Sequence, residues 1–262
     1  MNENKQIKWV QLPFAGVEPF IETIREKPDL TWTCGKGVYS KPCAEQILAL
    51  ALAGFRGIGT YARASSWSPP QGRNLYGSRV TVLGGGGITR ELLPMLAPFQ
   101  CDVTVIRRSS KEPMPGANRV LGSSIEELHS VLPTTDLLVL ALSLTPATCG
   151  IIGEMELSLM PNDSWIINLA RGKHIDTDAL VAALQAGTIG GAGLDVTEPE
   201  PLPDGHALWS FENVLITPHI GNTPEMGLPL LAERVRENVD RYVKSGGSLD
   251  NLIGYIDVEK GY

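Results

Sequence analysis

The stretch Val80-Thr-Val-Leu-Gly84-Gly-Gly86-Gly-Ile-Thr89-Arg-Glu-Leu92 is typical of a short apolar strand, a glycine turn and the start of a helix. Such a turn lets a dinucleotide pyrophosphate lie against backbone N–H groups at the positive N-terminus of a helix. Gly84 permits the tight turn, and Gly86 lets phosphates approach the backbone. Because Thr89 replaces the third glycine of the usual pattern, an ordinary glycine-rich turn explains this run equally well.

The next strand is expected to end about twenty residues after Gly86, within Asp102-Val-Thr-Val-Ile-Arg107-Arg108-Ser109-Ser-Lys111. An NAD-preferring fold usually places an acidic residue at this strand end to hold the ribose hydroxyls. This chain has Arg107, Arg108 and Ser109 there, and such groups bind a 2′-phosphate that a carboxylate would repel. We therefore expect NADP(H) as the preferred cofactor and NAD(H) as the alternative. A basic loop that only faces solvent is the competing interpretation.

The 262-residue chain carries a net charge of −7, which is unfavourable for an extended nucleic-acid or anionic-membrane surface. We therefore expect neither of these partners. The four cysteines (34, 43, 101 and 149) have no metal-like spacing, which indicates reduced thiols and no metal site. No apolar run has membrane-spanning length and the N-terminus has no signal-peptide core, so a cytoplasmic protein is expected.

From residue 78 to about 222, apolar strands alternate with helices, which predicts a parallel sheet covered on both faces. We expect an α/β fold: a Rossmann-like, doubly wound dinucleotide-binding domain over 76–222, and a second lobe from 1–75 joined by 223–262. Strands are predicted at 79–83, 102–107, 118–121, 136–142, 163–169, 190–194 and 213–217. Helices are predicted from Ser40 to about Gly57 and at 87–98, 124–131, 154–159, 177–186 and 224–244.

Polar side chains follow three successive predicted strands in the second half of the chain: Arg171, Glu200 and His219. Ligands of an open α/β sheet bind beyond the carboxyl ends of the strands, so all three are expected there. An arginine, a glutamate and a histidine beside a nicotinamide suit carbonyl reduction, in which the protein binds a carboxylate, polarises the carbonyl and supplies a proton. Singly, each residue is equally compatible with an ordinary loop position, but together they favour a catalytic site.

At these segments the chain resembles the D-isomer-specific 2-hydroxyacid dehydrogenase family. The match rests on Asn168-Leu-Ala-Arg-Gly172, Asp195-Val-Thr-Glu-Pro-Glu200-Pro201 and Thr217-Pro-His-Ile-Gly221, and on the spacings between them. Upstream, the segments Trp9-Val-Gln-Leu-Pro-Phe-Ala15-Gly16-Val17, Tyr39-Ser-Lys-Pro-Cys-Ala44-Glu45 and Leu144-Thr-Pro-Ala-Thr148 fit as well. The resemblance covers essentially the whole chain from Ile7 on.

The resemblance implies a role for each of these residues. His219 would be the acid/base that protonates the new alkoxide, and Glu200 would hydrogen-bond His219 and favour its imidazolium. Arg171 would hold the substrate carboxylate and carbonyl, and Asp195 would anchor the nicotinamide amide. The implied substrate-binding backbone belongs to Ala15, Gly16 and Val17. With the residues already discussed, the candidate cofactor contacts are Gly84, Gly86, Gly87, Ile88, Thr89, Arg107, Arg108, Ser109, Leu142, Ser143, Ala170, Asp195 and Gly221.

The chain departs from the family pattern in two further places. Ser143 stands where a proline is usual, and little sequence precedes the segment that begins at Trp9. At least one βαβ unit of roughly 30 residues is therefore expected to be absent from a reduced, flavodoxin-like substrate lobe. A short sheet over a small core is marginal, so we expect either a truncated gene product or a partner that covers the sheet edge. A homodimer is the expected assembly.

These observations predict an oxidoreductase that transfers a hydride between NADP(H) and a small 2-oxo or 2-hydroxy acid of the glyoxylate or hydroxypyruvate type. The competing hypothesis is a catalytically impaired nucleotide-binding or interaction protein on the same fold, since fold does not fix function. The joint presence of Arg171, Glu200 and His219 favours the enzyme, and the shortened lobe favours the alternative. Cofactor binding without turnover of any 2-oxo acid would support the alternative.

Overall fold

The computed structural model describes residues 6–108 and 112–257. In chain order, its strands are β1 (Trp9–Gln11), β2 (Thr31–Thr33), β3 (Arg79–Leu83), β4 (Asp102–Ile106), β5 (Arg119–Leu121), β6 (Leu137–Leu140), β7 (Trp165–Asn168), β8 (Gly191–Leu194) and β9 (Val214–Ile216). Its α-helices are α1 (Ile21–Arg25), α2 (Ser40–Phe55), α3 (Ile58–Arg63), α4 (Gly87–Leu96), α5 (Ile125–Val131), α6 (Glu154–Leu159), α7 (Thr177–Ala186) and α8 (Pro224–Lys244). All elements predicted from Ser40 onward are present, and α3 is an additional helix.

The larger sheet is parallel throughout, with the strand order β5-β4-β3-β6-β7-β8-β9. The chain builds outward from β3 to β5 and then crosses back to place β6 on the other side of β3. Leu83 accordingly pairs with Ile106 of β4 and with Leu140 of β6. Ligands of doubly wound sheets bind at this reversal of strand order. The α/β, Rossmann-like fold predicted from the sequence is confirmed.

Residues of the central strand β6 alternate between two buried apolar clusters. Leu138 and Leu140 belong to one cluster, and Leu137 and Val139 belong to the other. The sheet is therefore covered on both faces, which explains why its strands need near-continuous apolar sequence. The first cluster includes the helix residues Leu128, Leu157, Leu180 and Leu184, and the second includes Ile47, Leu50, Phe55, Leu92 and Leu96.

Contacts divide the chain into a larger unit, Lys41–Gly221, and a smaller unit that joins Met1–Ser40 to Asn222–Tyr262. The sequence-based division instead placed residues 41–75 in the smaller lobe. The difference arises because α2 packs directly on the larger sheet. A Cβ on Gly54 of α2 would lie 2.3 Å from the ring of Trp165, so only glycine allows the helix to approach β7 this closely.

The described part of the smaller unit contains a two-stranded parallel sheet, in which Trp9 pairs with Thr31. The C-terminal segment attaches to β2 through a hydrogen bond from the Ile256 N–H to the Trp32 carbonyl oxygen, 3.1 Å long. The marginal stability that the sequence predicts for this lobe stays a prediction. The buried apolar cluster consists of Leu12, Val17, Ile24, Trp32, Cys34 and Ile256.

The described ranges also bear on membranes and metals. In residues 6–108 and 112–257, no helix is both long enough and apolar enough to cross a bilayer. The longest helix, α8, carries charged side chains such as Arg234 and Glu237 along its length. Over the same ranges, no three His, Cys, Asp or Glu side chains are grouped in a way that could hold a metal ion.

Asp136, just before β6, joins two arginines at one edge of the larger unit. Its Oδ2 accepts hydrogen bonds from the backbone N–H of Arg79 (2.7 Å) and from Nε of Arg79 (3.0 Å). Its Oδ1 lies 3.0 Å from Nη2 of Arg79 and from Nη2 of Arg73. Burial raises the pKa of the Asp136 carboxyl, but the hydrogen bonds from Arg79 and Arg73 outweigh burial and lower this pKa to about 2.

We expect Asp136→Asn to lower the free energy of unfolding at neutral pH by about 1.5–3 kcal/mol, the range for hydrogen bonds to charged groups. A carboxylate with a lowered pKa contributes fully above its unfolded pKa of about 3.9 and loses this contribution as the pH falls towards about 2. Urea unfolding should therefore show a stability difference that shrinks over this acidic range. Asp102→Asn is the control, because the ion pair of Asp102 with Arg119 is 3.7 Å long and exposed. Equal losses in both variants would contradict the prediction.

Candidate active site

Gly84 directly follows β3, in a turn that requires glycine. Its φ is +110°, and a Cβ at this position would lie 2.2 Å from the carbonyl oxygen of Ala141. A Cβ on Gly86, in contrast, would meet no atom within 4 Å, so the backbone there is open to a ligand. As a glycine, the N-cap residue Gly86 has no side chain that could accept a hydrogen bond from the first turn of α4, which begins at Gly87. This uncapped helix N-terminus fits the phosphates of a dinucleotide.

Thr89 occupies the place of the third glycine in the usual pattern and stabilises the turn. Its Oγ1 donates a hydrogen bond to the Gly84 carbonyl oxygen at 2.6 Å, and the residue is fully buried. The branched side chain therefore closes the turn from within α4 instead of disturbing the packing of helix on strand. From the sequence, Thr89 was only a departure from the glycine pattern. Its stabilising role was not predictable, because the hydrogen bond to Gly84 depends on the geometry of the folded turn. Ile88 packs partly buried against the neighbouring apolar cluster.

The basic segment after β4 lies beside the same glycine turn. The Arg107 side chain passes Gly85 so closely that a Cβ on Gly85 would lie 2.6 Å from Cδ of Arg107. Nη2 of Arg107 donates a hydrogen bond to the carbonyl oxygen of Glu112 at 2.7 Å. Arg108 is exposed, and Ser109 lies outside the described residues. The structure thus brings Arg107 to the turn at which the sequence predicts the cofactor.

Other predicted cofactor contacts lie at strand ends of the larger unit. Leu142 and Ser143 follow β6, and the backbone nitrogen of Leu142 would lie 3.0 Å from a Cβ on Gly84. Ala170 lies in the segment after β7 and is 5% exposed, so only a small part of its surface is open to a ligand. The structure therefore places Leu142 against the glycine turn, as expected for the carboxyl ends of adjacent strands, and Ser143 follows it in the chain.

Arg171 follows β7 on a turn that the Asn168 carboxamide stabilises. Nδ2 of Asn168 donates to the Arg171 carbonyl oxygen at 2.9 Å, and Oδ1 accepts from the Ala170 N–H at 3.0 Å. Asn168 is 1% exposed, so its amide takes the place of water as partner for these backbone groups. A Cβ on Gly172 would lie 1.9 Å from the Thr197 carbonyl oxygen. The Arg171 turn is therefore in direct backbone contact with the segment that follows β8.

Asp195, which directly follows β8, organises the loop that follows β9. Its Oδ1 accepts hydrogen bonds from Oγ1 of Thr217 (2.6 Å) and the N–H of Ile220 (2.9 Å), and Oδ2 accepts from the N–H of Gly221 (2.8 Å). The loop holds His219 at a φ of +53°, a left-handed conformation that is uncommon for a residue other than glycine. Such conformations persist where surrounding contacts fix them, and they are frequent at functional sites. The carboxylate of Asp195 thus anchors this loop, and its contact with a nicotinamide amide stays a prediction.

The side chains of His219 and Glu200 meet in the larger unit. Nδ1 of His219 lies 2.7 Å from Oε1 of Glu200, and the two side chains are 52% and 41% exposed. The second oxygen of Glu200, Oε2, accepts a long hydrogen bond of 3.4 Å from the Thr197 N–H. A carboxylate on Nδ1 orients the imidazole and leaves Nε2 for proton exchange with a substrate. The pairing implied by the sequence resemblance is therefore present in the structure.

Cys43, in the first part of α2, is a neighbour of this loop that the sequence did not indicate. A Cβ on Gly221 would lie 3.5 Å from Sγ of Cys43. Burial, and then the negative charge of Asp195, raise the pKa of the Cys43 thiol to about 11, while Arg171 opposes the shift. Because a thiolate and not a thiol is the nucleophile, Cys43 packs beside the site as a neutral group at neutral pH.

Ala15, Gly16 and Val17 lie in the smaller unit, in the loop that follows β1. Val17 is 1% exposed, and its carbonyl oxygen accepts a hydrogen bond of 2.9 Å from the Phe20 N–H. Ala15 is exposed at the surface of this loop. The contact of these backbone groups with a substrate carboxylate stays a prediction.

Three features together define a dinucleotide-linked oxidoreductase. The parallel sheet reverses its strand order at β3 and β6, a glycine turn leads into a helix without a side-chain cap, and a histidine–glutamate pair lies beyond the strand ends. Residues 47–221 match the family model described as D-isomer specific 2-hydroxyacid dehydrogenase, NAD binding domain. The chain belongs to this family, as its sequence predicts. It is an NAD(P)-linked 2-hydroxyacid oxidoreductase.

The chain is similar to proteins of several bacteria and archaea. An uncharacterized protein of Corynebacterium melassecola is 36% identical over 264 residues, which cover 98% of this chain and 84% of the relative. A glyoxylate reductase of Thermococcus gammatolerans is 36% identical over 66% of this chain and 52% of its own length. Glyoxylate/hydroxypyruvate reductase A of Klebsiella pneumoniae is 29% identical over 97% of this chain and 84% of its own length.

Solved structures of the family show the same fold. A D-isomer specific 2-hydroxyacid dehydrogenase from Xanthobacter autotrophicus, in complex with NADPH and MES, has a TM-score of 0.82 and 31% identity. That alignment covers 98% of this chain and 80% of the other. An NADPH-dependent glyoxylate/hydroxypyruvate reductase from Sinorhizobium meliloti, in complex with NADP and sulfate, also has a TM-score of 0.82, with 26% identity over 97% of this chain and 80% of the other.

Proposed function

We propose that this protein reduces small 2-oxo acids of the glyoxylate or hydroxypyruvate type, with NADP(H) as the preferred cofactor. The observation that carries the proposal is the 2.7 Å contact between Nδ1 of His219 and Oε1 of Glu200. In this pair Glu200 orients His219, which can then act as the proton donor at this end of the sheet. The names of the Thermococcus and Klebsiella relatives support the substrate class.

Each catalytic group has one task in this proposal. When bound, the nicotinamide supplies the hydride that reduces the carbonyl carbon. His219 holds a proton on Nε2 and gives it to the carbonyl oxygen, which becomes the hydroxyl of the product. The Glu200 carboxylate accepts a hydrogen bond from Nδ1 and orients the ring, which leaves Nε2 for the substrate. Arg171 binds the substrate carboxylate, for which a guanidinium is geometrically suited.

The residues around the glycine turn support the cofactor part of the proposal. Gly84 and Thr89 shape the turn, and the open backbone at Gly86 leaves room for the pyrophosphate. Arg107 is next to this turn, where its guanidinium favours a cofactor that carries a 2′-phosphate. The NADPH-bound relatives support the same preference. We also propose that the protein acts in the cytoplasm as a homodimer.

The proposal is tested by following NADPH oxidation with a panel of acids: glyoxylate, hydroxypyruvate, phenylpyruvate and branched 2-oxo acids. The proposal requires turnover of glyoxylate or hydroxypyruvate above that of the bulkier acids. The competing hypothesis, a nucleotide-binding protein without catalysis, requires cofactor binding in a titration and no oxidation with any acid. Turnover of only bulky or branched acids would keep the activity class and refute the proposed substrate.

We expect Arg107→Asp to narrow or reverse the preference for NADPH over NADH. A lost charged contact of roughly 1.5–3 kcal/mol corresponds to about ten- to a hundredfold in the dissociation constant. Fluorescence titration of both cofactors against wild type and variant measures the change. Arg56→Asp is the control, because Arg56 is an exposed residue after α2 and the substitution makes the same change in net charge. Equal affinities for the two cofactors in all three proteins would refute the preference.

A further inference from the structure

His174 is the last residue of a short turn, Gly172–His174, that begins directly after Arg171, and its side chain is fully buried. Nδ1 of His174 lies 2.9 Å from the Thr148 carbonyl oxygen, and Nε2 lies 3.3 Å from the Leu142 carbonyl oxygen. The imidazole therefore touches both ends of the 142–148 loop that follows β6. Neither the catalytic pair nor the glycine turn explains a buried histidine at this place.

The 142–148 loop is compact and closes on itself through Thr148. The Thr148 hydroxyl donates to the Ser143 carbonyl oxygen at 2.8 Å and accepts from the Thr145 N–H at 2.9 Å. At its start, the loop abuts the glycine turn, since a Cβ on Gly84 would lie 3.0 Å from the Leu142 nitrogen. The position of Leu142 against the glycine turn thus depends on what holds the loop.

The backbone joins the far end of this loop to the turn of Arg171. The Gly150 N–H donates to the Lys173 carbonyl oxygen at 2.8 Å, and the Ile152 N–H donates to the His174 carbonyl oxygen at 3.0 Å. The His174 N–H in turn donates to the Arg171 carbonyl oxygen at 3.2 Å. Within residues 6–108 and 112–257, these backbone hydrogen bonds between the two segments reach back as far as Gly150. Nearer the loop, the His174 side chain provides the contacts with Thr148 and Leu142.

We propose that His174 is a positioning residue that fixes the 142–148 loop for cofactor binding. This inference rests on the proposed function, in which Leu142 and Ser143 contact the cofactor. An imidazole with one ring proton donates to a single carbonyl oxygen. The Thr148 carbonyl oxygen is the nearer of the two, 2.9 Å from Nδ1, against 3.3 Å between Nε2 and the Leu142 carbonyl oxygen. The buried His174 side chain therefore joins the Thr148 end of the loop to the Arg171 turn and packs against the Leu142 end.

Three substitutions separate the two contacts. His174→Asn places an amide nitrogen near the position of Nδ1 and can keep the Thr148 contact. His174→Gln extends the amide to the position of Nε2 and can keep the Leu142 contact. His174→Phe preserves a ring but removes both nitrogens, so the Thr148 carbonyl oxygen loses its hydrogen-bond donor and the Leu142 carbonyl oxygen loses the ring nitrogen beside it.

We expect His174→Phe to raise the dissociation constant of NADPH about tenfold, while turnover at saturating cofactor stays within about twofold of wild type. Hydrogen exchange without cofactor should show the Thr148 and Cys149 amides exchanging at least about tenfold faster, because these amides bond within the loop. His174→Asn should restore slow exchange of these amides, and His174→Gln should restore less of it. A residue that only fills the core would lower the melting temperature of all three variants and leave cofactor affinity unchanged.

His129→Phe is the matched control, since His129 pairs with Glu156 at 2.7 Å on another part of the larger unit. This variant should leave NADPH affinity and loop exchange at the wild-type level. If His174→Phe does not fold, the Asn and Gln variants carry the test, and wild-type exchange and affinity in both would refute the inference. A wild-type protein that binds neither NADPH nor NADH would instead refute the proposed function, and the exchange measurement would remain valid.

Discussion

His219→Ala is expected to lower the turnover number for 2-oxo acid reduction by about 10²- to 10⁴-fold, the contribution of a positioned general acid. The affinity for NADPH should remain nearly unchanged, because His219 belongs to the loop after β9 and not to the glycine turn at Gly84. Steady-state kinetics and a separate cofactor titration measure the two quantities. His206→Ala is the control, since His206 accepts a hydrogen bond from the Leu208 N–H (3.2 Å) and caps a short turn. Full activity of His219→Ala would show that another group supplies the proton.

The partner of His219 allows a second test of the same assignment. Glu200→Gln preserves a hydrogen-bonding group 2.7 Å from Nδ1 but removes the carboxylate that orients the imidazole. Because the orientation of the ring places Nε2 for proton transfer, the variant should lower the turnover number for 2-oxo acid reduction and leave the affinity for NADPH nearly unchanged. A turnover number that Glu200→Gln leaves at the wild-type level would separate the two residues functionally.

The strands and the residues at their ends were predictable because each signal is local. The apolar run of β6, from Leu137 to Leu140, indicates a strand buried on both faces without knowledge of its neighbours. Arg171, Glu200 and His219 each follow a strand, and parallel strands bring their carboxyl ends to one edge of the sheet. The resemblance added the pairing of His219 with Glu200, which the structure confirms at 2.7 Å.

Features that depend on two distant segments were not predictable from local sequence. The hydrogen bond of Thr89 to Gly84 and the neutral Cys43 beside Gly221 arise only when a turn or a helix is placed against its neighbour. The grouping of residues 41–75 with the larger unit has the same origin, because it depends on Gly54 meeting the Trp165 ring. The roles of Asp195, Arg171 and the Ala15–Val17 loop stay predictions.

At Gly172, we expect the addition of a side chain to lower both the stability of the protein and its catalytic activity. A Cβ there would lie 1.9 Å from the Thr197 carbonyl oxygen, 2.0 Å from its carbon and 2.5 Å from the Glu198 nitrogen. All three atoms are backbone, so no side chain can rotate away, and either the Arg171 turn or the segment leading to Glu200 must move. Both segments carry proposed catalytic groups.

We therefore expect Gly172→Ala to lower the free energy of unfolding by about 3 kcal/mol, the upper part of the range for overpacking. Any folded fraction should lose roughly 10²-fold in kcat/KM, since a shift of about 1 Å in a catalytic group has effects of this size. Gly153→Ala is the control, because a Cβ on Gly153 would meet only the flexible carboxylate of Glu156 at 3.5 Å. Denaturant unfolding and kinetics below the melting temperature measure the two losses separately. If Gly172→Ala is destabilised but fully active once folded, the turn and the segment after β8 do not set the catalytic geometry together.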